Sequence, residues 1–291
     1  MTLNHIFLIS KSTTWVHMRI LVSNDDGYLS PGLYLLAESA KEFGEVIISS
    51  TEVPRSASGR EITFSRPLRY MSKEHNGWKV FVTDGTPIDA LHLAVEVLSY
   101  KPDLVLSGVN VGDNLSLQHI FYSGTLAVTI EASLMGIPSV AFSADVSSFK
   151  DFLSPQFKHV VNEVVRFIIN YIQEKGFPSG VDLFSVNIPV NFRNCFKVVK
   201  ASRLRWKAAF KVGIDPRGRK YYWLYGVRGG TMADTDVYAF EQGCIILTPL
   251  SIDLNVKNEV IESLRKDLGK LKISVDEKLK SIGSGDKCID V

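Results

Sequence analysis

The sequence predicts an α/β fold: a three-layer arrangement around a mostly parallel sheet, followed by a long β-hairpin late in the chain. Three observations carry this expectation. Apolar runs suited to buried strands occur at residues 20–22, 46–48, 104–106, 139–143 and 182–186. Between them lie segments whose apolar residues recur at helical spacing, and strands alternating with helices favour parallel pairing with helices on both faces. Beyond about Pro189 the alternation stops, and Lys, Arg and aromatic residues dominate residues 192–225 around an Asp215-Pro216-Arg217-Gly218 tip.

The elements follow in order. Residues 1–17 mix apolar and polar residues without a period and read as an extension ahead of the first strand. That strand, Arg19-Ile20-Leu21-Val22, runs straight into Ser23-Asn24-Asp25-Asp26-Gly27. Pro31, pre-set for a first helical turn, opens a helix carrying Leu33, Leu36, Ala37 and Ala40, which Gly44 closes. The second strand empties into a loop rich in Ser, Gly and Arg at residues 51–60. Residues 62–64, 68–71 and 78–82 suit short strands or a hairpin about His75-Asn76-Gly77. Thr83-Asp84-Gly85-Thr86-Pro87 precedes a helix with Ile88, Leu91, Ala94, Val95 and Leu98 on one face.

The strand at residues 103–106 gives way to a polar loop, residues 107–114. Tyr122-Ser123-Gly124-Thr125 introduces a helix over residues 126–135, stopped by Gly136 and Pro138, and a longer amphipathic helix is expected at residues 155–174. Residues 235–240 and 244–248 read as strands. Val260, Ile261, Leu264, Leu268 and Leu271 form the stripe of a docking helix, and residues 276–291 read as a polar, frayed tail. The expected division is an extension (1–17), an α/β catalytic core (18–190), a hairpin with return strands that completes the domain and an oligomer interface (191–256), and a C-terminal helix and tail (257–291).

Composition narrows the function classes. Among 291 residues, 33 basic and 31 acidic side chains leave a net charge of +2, so no global field draws the chain to nucleic acid or an anionic membrane, and any anion must be bound locally. Cys195, Cys244 and Cys288 are widely spaced and odd in number, which suggests neither a disulfide framework nor a zinc site and fits a reducing, cytoplasmic compartment. The run Ile6-Phe7-Leu8-Ile9 is too short for a signal-peptide core, and no apolar stretch approaches the ~20 residues of a membrane span.

Four loops fall at the carboxyl ends of the expected strands, where open α/β sheets bind ligands: residues 24–27, 54–60, 107–114 and 122–125. Carboxylates from Asp25 and Asp26, a hydroxyl from Ser56 and an amide oxygen from Asn110 make a hard, anionic ligand set suited to Mg²⁺ or Mn²⁺. Ser123, Gly124 and Thr125 at a helix start suit an anion, through free N–H groups, two hydroxyls and the positive end of the helix dipole. A carboxylate-bound metal beside an anion cradle points to hydrolysis of a phosphoryl group.

Each residue also has a plainer reading. Asp103 suits a structural strand entry; Asp84 lines the pocket or caps the following helix; Ser123 is equally an N-cap. Arg55 and Arg60 either pair with phosphate oxygens or are solvated loop residues, and His75, His92, His119 and His159 are scattered. Dinucleotide, P-loop and nucleophile-elbow glycine motifs are absent. The alternative class is a non-catalytic nucleotide- or nucleic-acid-binding protein that uses Trp206, Phe210, Tyr221, Tyr222 and Trp223 among basic residues. Two adjacent carboxylates weigh against it, since without a metal they would repel phosphate.

Taken together the loops resemble the SurE-type survival proteins, a family of metal-dependent 5′-nucleotidases and phosphatases. The resemblance runs from Met18 to about Leu250. It rests on Ile-Leu-Val-Ser-Asn-Asp-Asp-Gly from Ile20, Arg-Ser-Ala-Ser-Gly from Arg55, Asp-Gly-Thr-Pro from Asp84, Ser-Gly-Val-Asn from Ser107, Tyr-Ser-Gly-Thr from Tyr122 and Asp-Pro-Arg-Gly from Asp215. It implies a Rossmann-like core with a protruding hairpin exchanged between subunits of dimers that often pair into tetramers. It also implies one divalent metal on Asp25, Asp26, Ser56 and Asn110, and Asp25, Asp26 and Asn110 are read as the catalytic set. By the resemblance phosphate would lie on Ser123, Gly124 and Thr125 and the substrates would be nucleoside monophosphates, while Ser56 and Arg60 are added as phosphate contacts from the residues themselves. Departures from the family pattern are Val111, the run Leu115-Ser116-Leu117-Gln118, and Arg60 where a His is usual.

Overall fold

Side chains that point alternately to the two faces of β1 (Met18–Ser23), all of them buried except Arg19, set the layers. Ile20 and Val22 face one core cluster together with Leu33 and Leu36 of α1 (Pro31–Ala40) and Val161, Val165 and Ile169 of α5 (Pro155–Lys175). Leu21 points the other way and packs with Leu91 of α2 (Pro87–His92) and with Val128 and Ala132 of α4 (Gly124–Leu134). A strand apolar on both faces has to be covered twice, and the result is a Rossmann-like three-layer α/β fold. The computed structural model describes residues 17–204, 206–230 and 232–282. The chain forms two compact units, one running to Ile252 and one from Asp253.

The remaining strands of the first unit are β2 (Gly44–Thr51), β3 (Tyr70–His75), β4 (Trp78–Thr83), β5 (Leu104–Val111), β6 (Ser139–Ala144), β7 (Leu183–Ile188), β8 (Cys195–Val198), β9 (Trp206–Ile214), β10 (Lys220–Arg228) and β11 (Cys244–Leu250). Eight of them join β1 in one nine-stranded sheet, in the order β3-β4-β2-β1-β5-β6-β7-β11-β8. Pairing is parallel except for β3 with β4 and β7 with β11. From β1 the chain steps to β2 on one side and later returns to β5 on the other. The crevice between the carboxyl ends of β1 and β5 is therefore the topological switch point, the usual ligand position in such a sheet.

Three helices begin with proline directly after a hydroxyl residue: Ser30-Pro31, Thr86-Pro87 and Ser154-Pro155. At α2 the cap is a full capping box, with Asp89 N–H donating to Thr86 Oγ1 at 3.2 Å and Thr86 N–H to Asp89 Oδ2 at 2.8 Å. Asp84 therefore does not cap this helix.

The hairpin β9–β10 forms a sheet of its own, paired from Trp206↔Arg228 to Ile214↔Lys220. Its tip is held by Asp215 Oδ1, which accepts the N–H groups of Arg217 and Arg219, each at 2.9 Å. Phe210, Val212, Ile214, Tyr222, Trp223 and Leu224 are all exposed on it.

Several expectations are corrected. Residues 235–240 form no strand: Asp236–Glu241 is a helix, α6, which turns Val237, Ala239 and Phe240 into the core. Residues 62–64 also form no strand. The polar loop expected from residue 107 is largely strand, because β5 continues to Val111, with a shift of register against β6 between Ser107 and Asn110 and a cis Gly108–Val109 peptide. A short helix, α3 (Ser116–Tyr122), fills a segment left unassigned, and β8, which lies inside the span read as hairpin, pairs instead with β11 of the main sheet. Cys195 and Cys244 form a disulfide, against the expectation of none. They are 49 residues apart in sequence, but parallel pairing of β8 with β11 makes them register partners, which spacing could not reveal. With two of its three cysteines bridged, the chain's cysteine content no longer points to a reducing compartment.

The second unit is a helix, α7 (Asn258–Ile282), with Val260, Leu264 and Leu268 exposed along it. It includes residues 276–282, which were read as frayed tail. The extension read at residues 1–17 lies, up to residue 16, outside the described residues, as do residues 283–291. No helix among the described residues is long and apolar enough to cross a membrane.

Candidate active site

The strand β1 ends by presenting Asn24, Asp25 and Asp26. Asn24 rivets the turn: its Nδ2 donates to Gly27 O at 3.1 Å, and its Oδ1 accepts from Ser50 Oγ of β2 at 2.6 Å. Gly27 sits at φ +84°, a conformation that favours glycine, and the chain reverses there toward α1.

Asp25 is only 4% exposed, and its carboxylate meets the start of α4. The Thr125 hydroxyl donates to its Oδ1, and the N–H groups of Gly124 and Thr125 also favour the charged form. Burial outweighs these donors and raises the Asp25 pKa. The approach depends on Gly124. A Cβ there would stand 2.7 Å from Asp25 Cβ, 2.8 Å from its Oδ2 and 2.8 Å from Ser58 Oγ. Asp26 is 9% exposed and accepts the Val111 N–H on Oδ2 at 2.9 Å. Burial first, and the charge of Asp25 second, push its pKa up to about 7.

Two adjacent buried carboxylates, with no cationic side chain among the causes of either shift, form an electrostatically incomplete site. A proton completes it near neutrality, and a divalent cation would complete it better, so the pair fits a metal. Among the described residues no group of three or more His, Cys, Asp or Glu side chains could hold one. The remaining ligands therefore have to be neutral oxygens, which suits hard cations.

Asn110, at the end of β5, donates its Nδ2 to Gly112 O at 2.8 Å and to Val111 O at 3.2 Å, which leaves its Oδ1 as the available ligand atom. Ser56 is exposed on a loop strapped to both sides of the crevice: Arg55 N–H donates to Asp25 O at 2.7 Å, and Gly59 N–H to Tyr122 O at 2.8 Å. Ser123 caps α4, accepting the Leu126 N–H at 3.1 Å.

Arg60 is engaged elsewhere. Its guanidinium pairs with Glu131 Oε2 of α4 at 2.5 Å, and Glu131 Oε1 in turn contacts His92 Nε2 at 3.1 Å. Gly124 and Thr125, expected to face phosphate, are in contact with Asp25. Asp84 is held by Arg66 at 2.9 Å, and the Arg69 N–H foremost keeps its carboxyl below the usual range. Asp103 is structural, bonded to the backbone and guanidinium of Arg19. Sequence reasoning missed Ser58, whose hydroxyl is buried without a hydrogen-bond partner beside Gly124. Its only signal was membership of the same Arg-Ser-Ala-Ser-Gly run as Ser56.

Comparison with known proteins shows what the whole chain is similar to. The family model described as "Survival protein SurE" matches residues 20–209. A curated "5′-nucleotidase SurE" of Hyperthermus butylicus is 43% identical over 85% of this chain and 91% of its own length. One of Pyrobaculum arsenaticum is 43% identical over 83% and 92%. The crystal structure of the SurE protein from Aquifex aeolicus superposes with a TM-score of 0.70 at 32% identity, covering 85% of this chain and 98% of that one. With the acidic pair at the sheet's switch point and the family match running across the core, the chain belongs to the survival protein SurE family.

Proposed function

We propose that this protein is a metal-dependent phosphomonoesterase that hydrolyses nucleoside 5′-monophosphates to nucleoside and phosphate. The observation that carries the reading is the pair of buried carboxylates, Asp25 and Asp26, set against the first turn of α4. The curated relatives named above are 5′-nucleotidases, which supports the same reaction class.

Asp25 and Asp26, with Ser56 and Asn110, would hold one divalent ion, Mg²⁺ or Mn²⁺. When bound, such an ion neutralises phosphate charge and acidifies water. Thr125 and Gly124 orient the Asp25 carboxylate, while the Val111 N–H orients that of Asp26. The start of α4, Ser123-Gly124-Thr125, is the electropositive end of an eleven-residue helix and would hold phosphate oxygens beside the carboxylate it orients. The unpartnered Ser58 hydroxyl adds a donor at the same glycine, and together these groups would stabilise charge developing on phosphorus-bound oxygens. The exposed apolar hairpin supports a homodimer or homotetramer formed through it.

The test is phosphate release from a panel of nucleoside monophosphates, in a chelator and then with Mg²⁺ or Mn²⁺ restored. Metal-restored release is expected, and Asp25→Asn should abolish it while far-ultraviolet circular dichroism stays unchanged. Release that survives the chelator, or an active Asp25→Asn enzyme, would overturn the reading.

A further inference from the structure

The root of the hairpin is tied to α3 by three hydrogen bonds. The Trp206 indole Nε1–H donates to His119 Nε2 at 2.6 Å, the Trp206 backbone N–H donates to Gln118 Oε1 at 3.2 Å, and the Leu117 N–H donates to Ser202 O at 2.8 Å. His119 Nδ1 faces Asp113 Oδ1 at 3.4 Å on its other side. Because Nε2 accepts the indole proton, it carries none itself, so the ring proton sits on Nδ1 toward the carboxylate and the tautomer is fixed.

The same residue reaches the anion cradle through its backbone. Ser123 N–H donates to His119 O at 2.9 Å, and Ser123 is the N-cap of α4. One residue further back, Tyr122 O accepts the Gly59 N–H and so carries the serine-rich loop. At seven residues α3 is too short to hold a helical shape alone, so its placement depends on such tertiary ties. A shift of the hairpin root would therefore reach, through His119, the N-cap of α4, where the nucleotidase reading puts phosphate.

We propose that His119 is a positioning residue that couples the hairpin to the start of α4, so that the hold on phosphate depends on where Trp206 sits. The inference rests on the nucleotidase reading for its meaning, but it can be tested apart from it.

The experiment compares wild type with His119→Ala, His119→Gln and Trp206→Phe. It reads inorganic-phosphate affinity by calorimetry with Mg²⁺ or Mn²⁺ present, and kcat and KM for the best monophosphate. In His119→Gln the amide oxygen stands near the position of Nε2 and can accept the same indole proton. Expected are a three- to tenfold loss of phosphate affinity and a matching rise in KM for His119→Ala and Trp206→Phe, a smaller change in kcat, and near recovery in His119→Gln.

Equal losses in the Ala and Gln variants would reduce His119 to a packing role and overturn the coupling. Unchanged phosphate affinity in both His119→Ala and Trp206→Phe would overturn it as well. If His119→Ala fails to fold, Trp206→Phe, which lies on the hairpin, carries the comparison. If wild type binds phosphate but releases none from any ester, the nucleotidase reading falls, while the affinity series still decides the coupling.

Discussion

The Thr125 hydroxyl donates to Asp25 Oδ1 across a hundred residues of chain, so the first turn of α4 and the end of β1 are one hydrogen-bonded unit. An acid whose charged form burial disfavours is thereby offered donors that stabilise that form.

Gly124→Ala should lower kcat/KM about a hundredfold, the scale expected when a reacting group is displaced by roughly an ångström. The added methyl would have to push back Asp25 or Ser58, which stand 2.7–2.8 Å from its position. Steady-state kinetics beside a thermal melt checks this, and wild-type kinetics in a folded Gly124→Ala would show that the close approach is not required.

In a chelator, the stability of the protein should fall as pH rises. The Asp26 pKa is about 7 in the folded chain against an ordinary 3.8, so the folded state holds this proton more tightly. Its contribution is therefore fully present below about pH 4 and is lost progressively up to about pH 7, amounting to at most ~4 kcal/mol. Asp26→Asn should flatten the wild-type slope in that window, and Mg²⁺ or Mn²⁺ should do the same by replacing the proton. Parallel melting curves for wild type and Asp26→Asn from pH 4 to 8 would contradict the burial argument.

Asp236→Ala should cost about 3 kcal/mol or more in denaturant unfolding. The carboxylate is 1% exposed and accepts the N–H groups of Ser116 at 2.6 Å, Ser202 at 2.8 Å and Val237 at 2.7 Å, and all three would lose their acceptor. Since Ser116 starts α3 and Ser202 precedes the hairpin, amide exchange should rise first in those two segments.

Reduction, or the double change Cys195→Ala and Cys244→Ala, should lower stability by about 2–4 kcal/mol, the usual range for a loop of this size. The bridge spans 49 residues and joins the two strands that flank the hairpin in sequence. Equal melting temperatures with and without dithiothreitol would show that it contributes nothing.

Much of the fold was legible because local signals agreed. Proline after Ser or Thr marked three helix starts, and the apolar runs marked the inner strands, whose two buried faces leave no choice of layer. Residues 235–240 misled because α6 is only six residues long and its apolar side chains fit either period. The loop read from residue 107 misled because glycine and asparagine there serve a bulged strand rather than a turn.

For the site, the sequence by itself determined the chemistry on offer: an adjacent acidic pair after a buried strand, a serine-rich loop, and a small-residue helix start. Those are properties of residue type and order. Only the tertiary structure decided who meets whom. It placed Thr125 and Gly124 on Asp25, turned Arg60 to Glu131, left the Ser58 hydroxyl without a partner, bridged Cys195 to Cys244 and joined His119 to Trp206. The physical reason is that these contacts join residues up to a hundred positions apart, brought together by strand order and crossover handedness, and no local propensity records such distances.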